Sequence, residues 1–157
     1  MKIAFTGVPS SGKTTLARDI TKIIGGVYVP EIARIYIKSI NRKLNHGDQY
    51  FIARLQSETE KVMYDESKIL ICDAPVYVSA VYEDLYFDKK DSDKILELGK
   101  QHNYDLVFNL TSVPFYHDDG VRYQKEKDLP RLRELINIYN QDYNTEQIFT
   151  VNPKERI

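Results

Sequence analysis

The chain reads as an α/β domain, a parallel β-sheet with helices on both faces. Three observations predict this. Short, continuously apolar runs alternate with longer amphipathic segments, the succession that βαβ units produce. The runs are unbroken rather than alternating apolar with polar, as strands buried on both faces are. Pro9, Pro30, Pro75, Pro114 and Pro153 each fall at or just after the C-terminal end of such a run, and only Pro130 lies elsewhere. Proline has no N–H for a sheet ladder, so it marks the handover from strand to loop. Open α/β sheets bind ligands at that edge, which directs attention to the residues following each strand.

Taken in order, Lys2–Thr6 is the first strand. Lys13–Ile24 follows as a helix, with Leu16, Ala17, Ile20, Ile23 and Ile24 at helical spacing and Gly25-Gly26 to stop it. Val27–Pro30 is the second strand, Gln49–Ser67 a helix and Ile69–Asp73 the third strand. Val76–Tyr86 and Asp91–Asn103 are helices, and the charge-rich stretch Asp84–Lys94 reads as a solvated loop and helix face. Leu106–Leu110 is the fourth strand. Leu129–Asn144 is a helix with Leu132, Leu135, Ile136 and Tyr139 as its apolar face, and Ile148–Val151 is the last strand.

The 157 residues fall in the range of one domain, roughly 100–200 residues, so positions 1–157 are expected to share one core. With 22 basic and 23 acidic side chains the net charge is −1, which argues against a nucleic-acid backbone as main partner. The single Cys72 forms no intrachain disulfide, and Ile3-Ala4-Phe5 is too short an apolar run for a signal peptide. No stretch approaches the roughly 20 apolar residues of a membrane span. The expected setting is cytoplasmic, without membrane attachment, and the sequence assigns no oligomeric state.

Gly7-Val8-Pro9-Ser10-Ser11-Gly12-Lys13-Thr14 fits G-x-x-x-x-G-K-[ST] and stands between the first strand and the first helix, the context that this phosphate-binding loop requires. Gly7 and Gly12 let the backbone curl so that N–H groups converge on an anion, and the helix start adds its positive dipole end. Lys13 reaches the β- and γ-phosphates as a point charge, and the Thr14 hydroxyl can ligate Mg²⁺. The nucleotide-binding set is therefore Gly7, Ser10, Ser11, Gly12, Lys13, Thr14 and Thr15, with ATP as phosphate donor. Ile69–Cys72 ends in Asp73, a carboxylate placed to complete the metal site with Thr14 if the strands are neighbours.

GTPases would carry a D-x-x-G switch and an N-K-x-D segment, and the chain has Asp73-Ala74-Pro75-Val76 and Asn109-Leu110-Thr111-Ser112 instead. A large mechanical ATPase would need a separate helical lid domain. A small phosphotransferase remains, for which an acceptor-side carboxylate and a basic lid are expected. Glu31 follows the second strand and Arg34 lies three residues on, so Glu31 can hold or deprotonate an acceptor hydroxyl while Arg34 neutralises phosphate or pairs with Glu31. The segment 114–130 carries Gly120, Arg122, Lys125 and Lys127, with Arg131 and Arg133 just beyond, and reads as the lid, Arg122 first among its cations. His117 has no His or Cys at ligand spacing and yields no metal site. Tyr77, Tyr82 and Tyr123 are available to stack on a base or pyridine ring.

Beyond the phosphate loop, the series Pro30-Glu31-Ile32-Ala33-Arg34, Ile52-Ala53-Arg54-Leu55-Gln56, Ile71-Cys72-Asp73, Tyr104-Asp105-Leu106, Asp119-Gly120-Val121-Arg122 and Glu155-Arg156 resembles a known family. It is that of the small AAA-type P-loop kinases that include the nicotinamide riboside kinase domain of NadR-type proteins. The resemblance implies a P-loop NTPase fold in three layers, with a five-stranded parallel sheet of order 2-3-1-4-5 and a small lid. It implies transfer of the ATP γ-phosphoryl group to a hydroxyl of a nucleoside-like small molecule. Lys13, Glu31, Asp73 and Arg122 form the implied catalytic set, and Gln56 joins Glu31 and Arg34 as an acceptor contact. Full NadR proteins add an adenylyltransferase domain and a helix-turn-helix, neither of which is expected here. Asp73-Ala74-Pro75 departs from the more polar segment of the family and leaves the acceptor open among nicotinamide riboside, a nucleoside, a nucleotide and a hydroxymethylated base in a nucleotide or nucleic acid. An ATP-binding switch module acting on a protein partner is the alternative from another functional class.

Overall fold

A computed structural model describes residues 1–111 and 125–148. They form one five-stranded sheet, all parallel, in the order β2-β3-β1-β4-β5. The strands are β1 (Lys2–Gly7), β2 (Val27–Val29), β3 (Leu70–Cys72), β4 (Leu106–Leu110) and β5 (Thr145–Ile148). The helices are α1 (Lys13–Ile24), α2 (Ile32–Ser39), α3 (Asp48–Met63), α4 (Val78–Tyr86), α5 (Ser92–Gly99) and α6 (Leu129–Asn140).

Both faces of the central strands are covered, which is why their apolar runs are unbroken. On one face Ile3 and Phe5 pack with Ile71, Leu110 and the α1 residues Leu16 and Ala17. On the other, Ala4 packs with Val29, Leu70, Cys72, Val107 and Tyr104, next to Tyr77. A further cluster joins Ala53 of α3, Ala80 of α4 and Ile95 of α5 with Val76. Leu132, Leu135 and Ile136 of α6 close on Val8 and Val81, so α6 buries the apolar face that the sequence assigns it. Among the described residues no helix is long and apolar enough to cross a membrane.

Four expectations are corrected. The last strand begins earlier than expected: Thr145–Ile148 already pairs with β4, and its outer position tolerates the polar run Thr-Glu-Gln, while 149–151 lie outside the described residues. Helix α2 goes unread because its eight residues are too few for an apolar period to stand out, although the helix is amphipathic. The stretch Asp84–Lys94 is not simply solvated, since Asp91, Ser92 and the side chain of Asp84 are buried in polar contacts. Tyr77 stacks on Tyr143 with ring centroids 4.2 Å apart and donates its hydroxyl to Asn140 Oδ1 at 2.7 Å, so it is a core residue and no base stacker.

Candidate active site

The loop from Gly7 to Gly12 leaves the C-terminal end of β1, the middle strand, and turns into α1. Its backbone is bent at Gly7 (φ 131°), Ser10 (φ 63°) and Gly12 (φ 83°). A Cβ on Gly7 would stand 2.3 Å from the Leu110 carbonyl oxygen of β4, so this position accepts no side chain. Ser11 is fully buried, and its N–H donates to Val8 O at 3.4 Å. Lys13 is buried and donates from Nζ to the carbonyls of Gly7 at 2.7 Å and Val8 at 2.9 Å, which lays the ammonium across the loop. Thr14 is half-buried in the first turn of α1 and Thr15 exposed. This cradle combines a helix N-terminus, a curled backbone and a buried cation, the requirements for a polyphosphate.

Asp73 reaches the loop through strand order. β3 lies directly beside β1, and the N–H of Asp73 donates to Val29 O at 3.0 Å, fixing Asp73 at the strand ends. Its carboxylate is 2% exposed. Oδ2 accepts the Tyr28 hydroxyl at 2.9 Å, while Oδ1 makes no hydrogen bond of normal geometry. Burial, then the nearby Glu31 carboxylate, push the Asp73 pKa up; the Thr14 hydroxyl, Tyr28 and Lys13 pull it back.

Glu31, also buried, sits at the N-cap of α2, with Arg34 Nε 3.9 Å from its Oε2. Gln56 of α3 turns its Oε1 to the Ile32 N–H at 3.1 Å and its Nε2 to Glu60 at 3.3 Å. It therefore anchors the start of α2, and with it Glu31 and Arg34. Along the sheet edge the order is thus phosphate loop after β1, Asp73 after β3, then Glu31 after β2. Arg122, Tyr123 and His117 lie outside the described residues, as does the rest of the lid up to residue 124.

Tyr28 and Arg18 are additions that the sequence did not single out. Arg18 lies over the Tyr28 ring, 5.5 Å from its centroid, and the Tyr28 pKa rises to about 12, mostly through burial and then the Asp73 charge. A tyrosine within a short strand reads as packing, and only its register beside β3 shows that its hydroxyl meets Asp73.

The family model described as AAA domain matches residues 2–152. The chain belongs to that family. No match was found among curated protein sequences. Among solved structures this AAA domain resembles NadR in complex with NR, at 22% identity and a TM-score of 0.76, over 93% of this chain and 45% of that one. It thus spans just under half of the NadR chain. Deoxyadenosine kinase from M. mycoides, with products dCMP and dCDP bound, aligns over 94% of this chain and 89% of its own at 15% identity and a TM-score of 0.68. Thymidylate kinase from Ehrlichia chaffeensis aligns over 94% and 91% at 20% identity and 0.67. The AAA domain therefore has the fold of nucleoside and nucleotide kinases, with the sheet order implied by the resemblance.

Proposed function

We propose that this AAA domain is a kinase that uses Mg-ATP to phosphorylate a hydroxyl of a nucleoside-like small molecule. The observation that carries the reading is Asp73, a buried and under-bonded carboxylate set between the phosphate loop and Glu31. A buried polar atom without a partner is uncommon and costly, and at the ligand edge of an α/β sheet it points to function. The structural neighbours, NadR with NR, deoxyadenosine kinase with dCMP and a thymidylate kinase, support the nucleoside-like class.

The residues at hand fit Mg²⁺, because the Thr14 hydroxyl and the unpartnered Asp73 Oδ1 are hard oxygen donors beside a triphosphate cradle. Thr14 and Asp73 would hold the ion, which when bound neutralises charge on the β- and γ-phosphates. The loop amides bind the phosphate oxygens, and Lys13 exchanges its contacts with the loop carbonyls for the γ-phosphate. Glu31, one strand further out, orients the acceptor hydroxyl and takes its proton. The hydroxyl oxygen bonds to the γ-phosphorus as the bond to the bridging β–γ oxygen breaks, and ADP leaves. Arg34 steadies Glu31, and Arg122 keeps in this proposal the role of neutralising transferred charge from the lid. Positioning and electrostatics supply most of the acceleration.

The test is a transfer assay with Mg-ATP against nicotinamide riboside, the common nucleosides and nucleotides, and a hydroxymethylated DNA oligonucleotide, read by product mass. Phosphorylated product from a small-molecule acceptor is expected. ATP binding with no acceptor phosphorylated would overturn the reading in favour of a switch module, and product from the oligonucleotide alone would move the acceptor to nucleic acid.

A further inference from the structure

Three side chains from separate segments of the helical layer converge, none of them a residue of the phosphate site. They are His46 in the loop between α2 and α3, Glu83 on α4, and Asp91 immediately before α5. His46 Nδ1 is 3.1 Å from Asp91 Oδ2 and 3.8 Å from Glu83 Oε1. One ligand atom from each residue lies within 4.8 Å of the others. Two atoms bound at about 2.0–2.1 Å to a tetrahedral ion stand about 3.3 Å apart, so both His46 distances lie within small side-chain adjustments of ligation.

Glu83 supplies an independent observation. Its side chain is wholly buried; Oε1 accepts one long hydrogen bond, 3.3 Å from the Asp91 N–H, and Oε2 has no partner. Burial pushes its pKa up, with the Asp91 charge adding to the rise and His46 opposing it. A carboxylate so enclosed calls for a cation at close range or for protonation. Asp91 is held in its charged form by Lys94, whose Nζ donates to Oδ1 at 2.6 Å, and its Oδ2 stays directed at His46. His46 is half exposed, which gives an ion and its water ligand a route in.

We propose that His46, Glu83 and Asp91 bind a Zn²⁺ ion that staples the α2–α3 loop to the turn between α4 and α5. One imidazole nitrogen and two carboxylate oxygens, with a fourth position for water, suit zinc; magnesium prefers oxygen alone and keeps its own waters. Lys94 works against the ion by its charge, yet it occupies the other oxygen of Asp91. The loop is also tied by Arg42, which donates to both oxygens of Asp48 at 2.7 and 2.9 Å, so the ion adds a second clamp to an already ordered segment. The site is separate from Thr14 and Asp73 and does not depend on the kinase reading.

The experiment is calorimetric titration of the chelator-treated full chain with Zn²⁺, without nucleotide. One equivalent is expected to bind, with no competition from equal Mg²⁺. His46→Ala and Glu83→Gln are each expected to weaken binding tenfold or more, with circular dichroism confirming the fold. Co²⁺ should give the intense visible absorption of a four-coordinate site in the wild type, lost in His46→Ala. Absence of zinc binding by the wild type, or affinity unchanged in both variants, would overturn the site.

Discussion

Toward the N-terminal end of the sheet, Glu60 is wholly buried and fully surrounded. Lys2 Nζ lies 3.2 Å from Oε2, His102 Nδ1 3.0 Å, the Tyr104 hydroxyl 3.0 and 3.1 Å from its two oxygens, and Gln56 Nε2 3.3 Å from Oε1. His102 passes the network on to the Ser57 hydroxyl at 2.7 Å. At the C-terminal end Asp73 is nearly as buried, with Tyr28 on one oxygen and no normal hydrogen bond on the other. Two buried carboxylates on opposite sides of the sheet thus differ in how far they are satisfied. A satisfied network locks a fold, whereas a carboxylate left short of partners keeps its valence for something that arrives.

The largest expected effect falls at the unsatisfied end. Lys13→Ala should lower phosphate transfer by about 10³-fold or more, since it removes a cation fixed across the cradle. Far-UV circular dichroism should remain unchanged. Near-normal turnover would remove the catalytic role from the loop.

Asp73→Asn and Glu60→Gln break the comparison directly. Asp73→Asn should cut transfer by about 10²-fold while raising the melting temperature at neutral pH, because it removes a poorly compensated buried charge. The sign follows from linkage. Burial and Glu31 raise the folded-state pKa above the ordinary 3.8, so the folded protein binds the proton more tightly than the unfolded chain does. Wild-type stability is therefore lost as pH rises above 3.8 toward the folded value, and the variant escapes that loss. The stability gap should be widest at neutral pH and narrow as pH falls toward 3.8. Glu60→Gln should do the reverse, costing about 3 kcal/mol by leaving Lys2 without its buried partner. Transfer per folded molecule should stay near that of the wild type. Equal behaviour of the two variants in urea unfolding and in turnover would erase the distinction.

Glu31→Gln sharpens the division of labour within the unsatisfied end. If Glu31 takes the acceptor proton and Asp73 serves the metal side, this variant should lose about 10²-fold in turnover with ATP affinity unchanged. A weakened affinity for Mg-ATP at full turnover would exchange the two roles.

How legible each region was depends on where its signal resides. Helix α1 could be read to the residue because its apolar period and the Gly25-Gly26 stop lie in one contiguous stretch. The phosphate loop was legible for the same reason, and Asp73 and Glu31 because each is the first acid beyond an apolar strand. Strand β5 and helix α2 were not, since one is a polar run and the other has only eight residues over which to show an apolar period. His46, Glu83 and Asp91 meet only through the packing of α3, α4 and α5, and no spacing rule connects them. Tyr28 was hidden by its type, because aromatic residues are common in strands and only the pairing register reveals its hydroxyl as the partner of Asp73.

That hydroxyl yields the smallest of the expected effects and the most direct test of why Asp73 is left under-bonded. Tyr28→Phe removes the single normal hydrogen bond on the carboxylate and keeps the ring beneath Arg18. A donor to the charged form lowers a carboxylate pKa, so its loss should move the Asp73 pKa further up. If the ionised carboxylate is the working form, turnover at neutral pH should fall only a few-fold, and the acid limb of the pH–rate profile should shift to higher pH. Mg²⁺ near saturation should restore most of the rate, because the cation favours the ionised form that Tyr28 supports. An acid limb that stays in place would mean that Tyr28 braces the strand ends and that the charge on Asp73 is set by Lys13 and Thr14 instead.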